Sequence, residues 1–297
     1  MDESCSKTAN LSCFILSSVY VGSLYVWKST EDRNHPKTVI RRFISAFCML
    51  FVAPAIVYIT LKYMNPKESI DLLSLLGLRY SGLLSAISLP VLLTSILFLG
   101  PITITFFDGS WKDMFSAECW KNNLQDILWI RNQIVAPISE EFTFRACMLP
   151  QLLKCFLTSQ AVLVSPLFFG VGKVVKNLSV LMVCEGFYIL GHFHHMIERW
   201  RQGMPLLQSL LVSCFQFAYT TLFGMYAAFL FIRTNHVVAP CVAHAFCNVM
   251  GFPDFGEIGR QTGWKRIILA SAFVAGLVGW YLLLWPLTEP TLYYNNP

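Results

Sequence analysis

Residues 83–107 read LLSAISLPVLLTSILFLGPITITFF, without a single charged side chain. A helix needs about 20 apolar residues to cross the hydrocarbon core of a bilayer. Comparable runs lie at 11–27, 43–63, 206–232 and 267–286, and interrupted ones at 127–157, 161–171, 178–193 and 237–251. Because backbone polar groups in lipid must be satisfied within the segment, these runs predict an all-α fold, a polytopic transmembrane helical bundle of about eight spans.

The composition agrees with a bilayer environment. Of 297 residues, 55% are hydrophobic and 13% are charged, and the mean hydropathy is +0.55, whereas soluble domains carry about a quarter charged residues. No internal repeat of fixed period is visible, so residues 1–297 are predicted to form a single membrane-embedded domain. The net charge of +5 comes from basic residues scattered between apolar runs, which is typical of topology marking and not of nucleic-acid binding.

Lysine and arginine in the short loops predict the orientation of the chain. The loop after the first apolar run is basic, as is the loop before the last run, and basic loops favour the cytoplasmic side. The tail after residue 286 carries no basic residue, so both termini are expected to face away from the cytoplasm. The basic side chains are Lys28, Arg33, Lys37, Arg41 and Arg42 in the first loop and Arg260, Lys265 and Arg266 in the second.

The ten cysteines are scattered as single residues, without a C-x-x-C pair or a zinc-ligand spacing. Cysteines in apolar sequence usually behave as small buried hydrophobes. We therefore expect neither a disulfide framework nor a structural zinc site. The cysteines expected to be buried in this way include Cys48, Cys147, Cys155 and Cys214.

The first polar cluster, PISEEFTFR, begins at Pro137 and is embedded in apolar sequence. On a helix, Glu141 and Arg145 are four residues apart and can form an ion pair, while Glu140 lies about 100° around the axis and is freer to face a cavity. Pro137 and Ser139 indicate that this helix begins here. Glu140 is then a candidate general base for water. A purely structural glutamate–arginine clamp between helices is the alternative.

Two further clusters carry histidine. His192 and His195 in GHFHHMIE share one helix face, but His-x-x-His without a third ligand is weak support for a metal site. His244 and Asn248 are also four residues apart on one face, as two donors of an oxyanion hole would be. The alternatives are an interfacial histidine cluster and polar contacts between helices.

Together, a base, histidines and paired donors on separate helices are the groups that water-driven amide hydrolysis requires. The motifs H-E-x-x-H and G-x-S-x-G are absent, so neither a zincin nor a serine hydrolase is indicated. Two alternatives from other classes of function remain. One is a proton-coupled transporter with an intramembrane Glu and His relay, and the other is a catalytically silent membrane scaffold.

The order E-E-x-x-x-R, F-x-x-x-H and H-x-x-x-N resembles the type II CAAX prenyl endopeptidases, within the wider superfamily of glutamate-type intramembrane abortive-infection proteases. The similarity runs from about residue 40 to the last apolar run. The stretches that carry it are PISEEFTFRACMLP, SPLFFGV, GHFHHMIE and AHAFCNVMGFP.

This resemblance implies a protease of the endoplasmic reticulum membrane that cleaves after the prenylated cysteine of a C-a-a-X tail. Substrates would include prenylated small GTPases of the Ras type, held in contact with membrane lipids. By the resemblance, Glu140 activates water, His192 assists proton transfer, and His244 and Asn248 stabilise the tetrahedral oxyanion. Glu141 and Arg145 would have supporting roles. The resemblance implies no required metal or other cofactor, and zinc is not expected.

One departure from the family pattern lies at residues 172–190, which separate the F-F-G-V stretch from the histidines. Without them Phe169 stands four residues before His192, and with them Tyr188 does. We interpret this segment as an anomalous insertion. A retained intron or gene-model error is one hypothesis, because its initial Gly-Lys can be encoded by a donor-site sequence, and a lineage insertion is the other. A genuine insertion would displace His192, and about 1 Å of misplacement can cost roughly a hundredfold in rate. It would favour the alternative of a catalytically silent membrane scaffold, which binds prenylated tails without releasing a tripeptide.

Overall fold

The computed structural model describes residues 3–27, 31–172 and 203–295, and all regular elements in these ranges are helical. The main helices are α1 (Glu3–Tyr25), α2 (Pro36–Met64), α3 (Leu83–Leu97), α4 (Leu99–Asp108), α5 (residues 127–153), α6 (Thr158–Gly172), α7 (Leu206–Thr234), α8 (Val238–Met250) and α9 (Gly263–Leu283). Short helices lie at Leu72–Leu75, Trp111–Met114, Ala117–Gln125 and Glu257–Arg260, and 3₁₀ turns at Pro286–Thr288 and Pro290–Tyr293. The all-α prediction is confirmed.

Several of these helices have the length and composition of membrane spans. Among the described residues, α2, α7 and α9 are each long and apolar enough to cross a bilayer, and α3 with α4 forms a broken apolar pair bent by 74°. On α2, the apolar side chains of Phe47, Phe51 and Ile59 are 61%, 64% and 67% exposed, as expected for a surface that lipid covers. The chain is therefore a polytopic membrane protein. Helix α1 is long enough but less apolar, and the predicted run at 178–193 lies outside the described residues.

The chain divides into two compact units, residues 1–78 with 139–232 and residues 79–138 with 233–297. In the first unit, α1 packs against α2 and α6. The buried face of α1 repeats every three to four residues through Ala9, Cys13, Leu16 and Tyr20, as a helix requires. Hydrogen bonds between helices accompany this packing. They join the Ser12 and Thr60 hydroxyls at 2.9 Å and the Ser17 hydroxyl to the Phe168 carbonyl oxygen at 2.7 Å.

A disulfide between Cys5 and Cys155 joins the start of α1 to the chain after α5. The expectation that Cys155 is an unpaired buried residue was therefore wrong, because the two cysteines are 150 residues apart and their spacing reveals nothing of their proximity. Cys147 is buried as predicted, whereas Cys48 and Cys214 are exposed, since α2 and α7 direct them outward. Disulfides persist in oxidising compartments. Cys5 lies at the opposite end of α1 from the basic loop, and the orientation of the chain stays a prediction.

In the second unit, α3 packs against α8 and α9. Gly276 of α9 allows close contact, since an added Cβ there would lie 2.7 Å from the Ile96 carbonyl oxygen. The C-terminal turns are held by Arg79, whose Nη2 donates to the carbonyl oxygens of Tyr293 and Tyr294 at 2.8 and 2.9 Å. These contacts pack the C-terminal end of the chain onto the beginning of the same unit.

His236 follows α7 and is completely buried in the second unit. Its Nε2 lies 2.7 Å from the Ser81 carbonyl oxygen. Burial lowers the pKa of His236 below its usual range, and the charge of Arg79 lowers it as well, while the hydrogen bond to Ser81 raises it. The neutral imidazole is therefore favoured by the fold.

Candidate active site

The two glutamates of the first cluster lie in the middle of α5. This helix consists of Ile127–Ile130, a π-helical turn Arg131–Val135, the α-helical Ala136–Glu141, a second π-helical turn Phe142–Cys147, and Leu149–Leu153. Single π-helical turns inside α-helices are rare and occur frequently at functional sites. Glu140 and Glu141 thus end a short α-helical segment with a π-helical turn on either side.

The predicted start of this helix was wrong. It begins at Ile127, where the Asp126 carboxylate accepts a hydrogen bond from the Leu128 N–H at 2.8 Å. Pro137 and Ser139 are inside the helix. A proline in a helix interior removes one backbone hydrogen bond, and here the π-helical turn directly before it alters the regular bonding pattern. Asp126 is therefore the N-cap, and Ser139 takes part in a side-chain contact.

The predicted ion pair between Glu141 and Arg145 is confirmed. The Glu141 side chain is completely buried and that of Arg145 is 5% exposed. The guanidinium holds both carboxylate oxygens, with Nε 3.2 Å from Oε2 and Nη1 3.2 Å from Oε1. The contact from Nη1 to Oε1 is a hydrogen bond and that from Nε to Oε2 is a second ion-pair contact, so the pair compensates the two charges.

Helix α7 lies directly over this ion pair. An added Cβ at Gly224 would be 2.7 Å from the Pro166 Cβ and 3.1 Å from Arg145 Nη2. Only a residue without a side chain allows α7 to approach α6 and the guanidinium so closely. The pair is thus enclosed by backbone as well as by side chains.

Glu140 has a different environment from Glu141, although the two are adjacent. Glu140 is partly exposed while Glu141 is completely buried. Neighbouring carboxylates in different surroundings can take different roles, one structural and one chemical. Glu140 is the more exposed of the two carboxylates.

His244 and Asn248 both belong to α8, which places them one turn apart on the same face, as their spacing predicts. His244 is partly exposed and Asn248 is exposed. The Asn248 amide nitrogen donates to the Asn132 carbonyl oxygen at 2.8 Å. Asn132 belongs to the first π-helical turn of α5. This contact fixes the orientation of the Asn248 amide.

The predicted site residues are distributed over both compact units. Glu140, Glu141 and Arg145 belong to the first unit, and His244 and Asn248 to the second. His192 and nearly all of the insertion at 172–190 lie outside the described residues. The structure groups the carboxylates with Arg145, and separately His244 with Asn248. That all of them act on one peptide bond stays a prediction.

Sequence reasoning missed two contacts of these residues. Ser139 bonds to the Tyr20 hydroxyl at 2.9 Å, and Asn132 accepts from Asn248. Neither Tyr20 nor Asn132 belongs to a motif, and hydrophobic periodicity contains no signal for a π-helical turn. Their partners Ser139 and Asn248 both stood within quoted clusters.

No group of three His, Cys, Asp or Glu side chains within residues 3–27, 31–172 and 203–295 is arranged to hold a metal ion. The histidines around position 192 are not among these residues. The expectation that the chemistry needs no metal or other cofactor therefore stays a prediction.

The chain is similar to known proteins over almost its whole length. A family model described as Type II CAAX prenyl endopeptidase Rce1-like matches residues 123–250. CAAX prenyl protease 2 of Homo sapiens is 39% identical over 300 residues, covering 99% of this chain and 85% of the relative. CAAX prenyl protease 2 of Arabidopsis thaliana is 32% identical, and the match covers 96% of this chain and 90% of the relative. CAAX prenyl protease 2 of Caenorhabditis elegans is 30% identical, and the match covers 92% of this chain and 94% of the relative. No solved structure matches significantly.

Proposed function

The chain belongs to the Rce1-like family of type II CAAX prenyl endopeptidases, and from this membership we propose that it removes the C-terminal tripeptide of prenylated CAAX proteins with a glutamate-activated water. It is a membrane endopeptidase, and the resemblance assigns its reacting groups residue by residue. Glu140 takes a proton from water as the water oxygen attacks the carbonyl carbon after the prenylated cysteine. His244 and Asn248 stabilise the resulting oxyanion. His192 assists transfer of a proton to the leaving amine as the C–N bond breaks, which releases the tripeptide and leaves a carboxylate on the cysteine.

The observation that carries this proposal is the difference between the two glutamates. Arg145 already compensates the charge of the buried Glu141 with a two-point contact. Glu140 is partly exposed, and this supports it as the better candidate for a base that acts on water. Glu141 and Arg145 keep the supporting role of holding the helical turn.

The environment of Asn248 supports its proposed role as a donor. A side-chain amide nitrogen carries two N–H donors, and the bond to Asn132 uses one. The other can be directed to an oxyanion without reorganisation of the side chain. Donors that are already oriented stabilise developing charge better than donors that must first turn.

We propose prenylated small GTPases of the Ras type as substrates and the endoplasmic reticulum as the location. A prenyl chain partitions into lipid with about 0.8 kcal/mol per buried CH₂, so a membrane enzyme receives its scissile bond at the bilayer surface together with surrounding lipids. The disulfide between Cys5 and Cys155 supports a compartment with one oxidising face.

The test is Glu140→Gln, assayed in membranes with a farnesylated C-a-a-X peptide. A general base contributes typically 10²–10⁴-fold, so we expect tripeptide release to fall at least a hundredfold while the amount of folded protein is unchanged. Glu118→Gln is the matched control, because Glu118 is an exposed glutamate on a short helix. Cleavage by Glu140→Gln at the rate of the Glu118→Gln control would contradict the proposal.

A further inference from the structure

Tyr20, on α1, contacts the helical turn that carries the two glutamates. Its hydroxyl oxygen lies 2.9 Å from the Ser139 Oγ, and Ser139 directly precedes Glu140 in α5. Tyr20 and Ser139 are each only 4% exposed. Two hydroxyls joined by a hydrogen bond away from bulk water make a persistent link between the two helices.

The ring of Tyr20 adds a second contact with the same helix. It meets the ring of Phe144 edge to face, with centroids 5.5 Å apart and planes at 79°. Phe144 follows the two glutamates in the sequence, whereas Ser139 precedes them. Tyr20 therefore contacts α5 both before and after the glutamates.

This part of α5 needs an external contact to define its rotation. π-helical turns lie on both sides of Ala136–Glu141, and the regular hydrogen-bonding pattern changes at each of them. A helix advances about 100° per residue. A shift of either turn by one residue would therefore redirect both carboxylates.

We propose that Tyr20 is a positioning residue for catalysis, whose bond to Ser139 holds the glutamate turn so that Glu140 meets water and Glu141 meets Arg145. The proposal rests on the proposed role of Glu140. Tyr20 acts through Ser139 and takes no part in the bond-breaking steps. Its contribution is expected in the rate of the chemical step, because misplacement of a catalytic group by about 1 Å can cost roughly a hundredfold.

The test compares Tyr20→Phe, which keeps the ring and removes the hydroxyl, with Ser17→Ala. Ser17 is buried on the same helix and also makes one hydrogen bond to another helix, but its partner Phe168 is not next to the glutamates in sequence. We expect Tyr20→Phe to lower kcat per folded molecule about 10- to 100-fold with KM within about twofold. Both variants lose one buried hydrogen bond between helices, so we expect Ser17→Ala to lower the thermal midpoint about as much as Tyr20→Phe does. Ser17→Ala should leave kcat unchanged.

A double-mutant cycle with Ser139→Ala sharpens the test. If the two hydroxyls act as one unit, the double variant is no slower than either single variant. Equal kcat values for Tyr20→Phe and Ser17→Ala, or additive effects of Tyr20→Phe and Ser139→Ala, would overturn the proposal. Full activity of Glu140→Gln would instead overturn the proposed function itself. If Glu140→Gln is inactive and Tyr20→Phe has normal activity, only the proposed role of Tyr20 is overturned.

Discussion

Replacement of Arg145 by methionine should destabilise the protein more than removal of any exposed charge. Methionine keeps most of the apolar stem and removes the cation that holds both oxygens of Glu141 at 3.2 Å. Because Glu141 is completely buried, its charge then lacks its main compensation. Breaking a buried pair in this way costs about 3–5 kcal/mol, which lowers the ratio of folded to unfolded protein by roughly two to three and a half powers of ten.

The measurement is unfolding of the purified protein in mixed micelles, followed as a function of denaturing-detergent fraction. Arg260→Met is the matched control. Arg260 pairs with Asp254 and Glu257 but is 59% exposed, and exposed pairs contribute little. The double variant Glu141→Gln with Arg145→Met removes both charges and should recover most of the lost stability. The reasoning fails if Arg145→Met is as stable as the Arg260→Met control, or if the double variant is less stable than Arg145→Met.

Three further perturbations follow from the packing. Gly224→Ala should reduce the folded yield, because the added Cβ would be 2.7 Å from a proline ring. The control Gly22→Ala should not, because an added Cβ there meets nothing within 4 Å. Equal folded yields of the two variants on size-exclusion chromatography would contradict this reasoning. Cys5→Ser and Cys155→Ser should each lower the free energy of unfolding by about 2–4 kcal/mol, so their thermal midpoints should fall equally. A reductant should lower the thermal midpoint of the parent protein only. The folded protein lowers the pKa of His236 from 6.5, so its contribution to stability is complete above about pH 6.5 and is lost as the pH falls towards the folded value. His236→Gln should flatten the dependence of the thermal midpoint on pH in this window, and an unchanged slope would argue against it.

The glutamate cluster shows how far local sequence can predict a site. The spacing of Glu141 and Arg145 predicts their ion pair, because residues four apart on a helix are neighbours whatever surrounds the helix. The same rule places His244 and Asn248 on one face of α8. Pro137 misled the prediction of the helix start, because a π-helical turn allows a proline inside the helix, and such turns depend on packing.

Contacts between distant residues could not be predicted in this way. The Cys5–Cys155 bond and the Tyr20–Ser139 contact join residues 150 and 119 positions apart. Which residues meet at such separations depends on the rotation and the depth of each helix against its neighbours. Hydrophobic periodicity defines a buried face to within about one residue, and that is too coarse to identify a partner.

The sequence alone determined that this protein is a bundle of membrane helices and which helical turns carry its polar groups, because apolar length and helical spacing are properties of one segment at a time. Tertiary structure alone decided that Glu141 is buried against Arg145 while Glu140 remains partly exposed. Adjacent glutamates have identical chemistry in the sequence. The fold distinguishes them, because the Arg145 guanidinium, with α7 packed close to it, encloses Glu141.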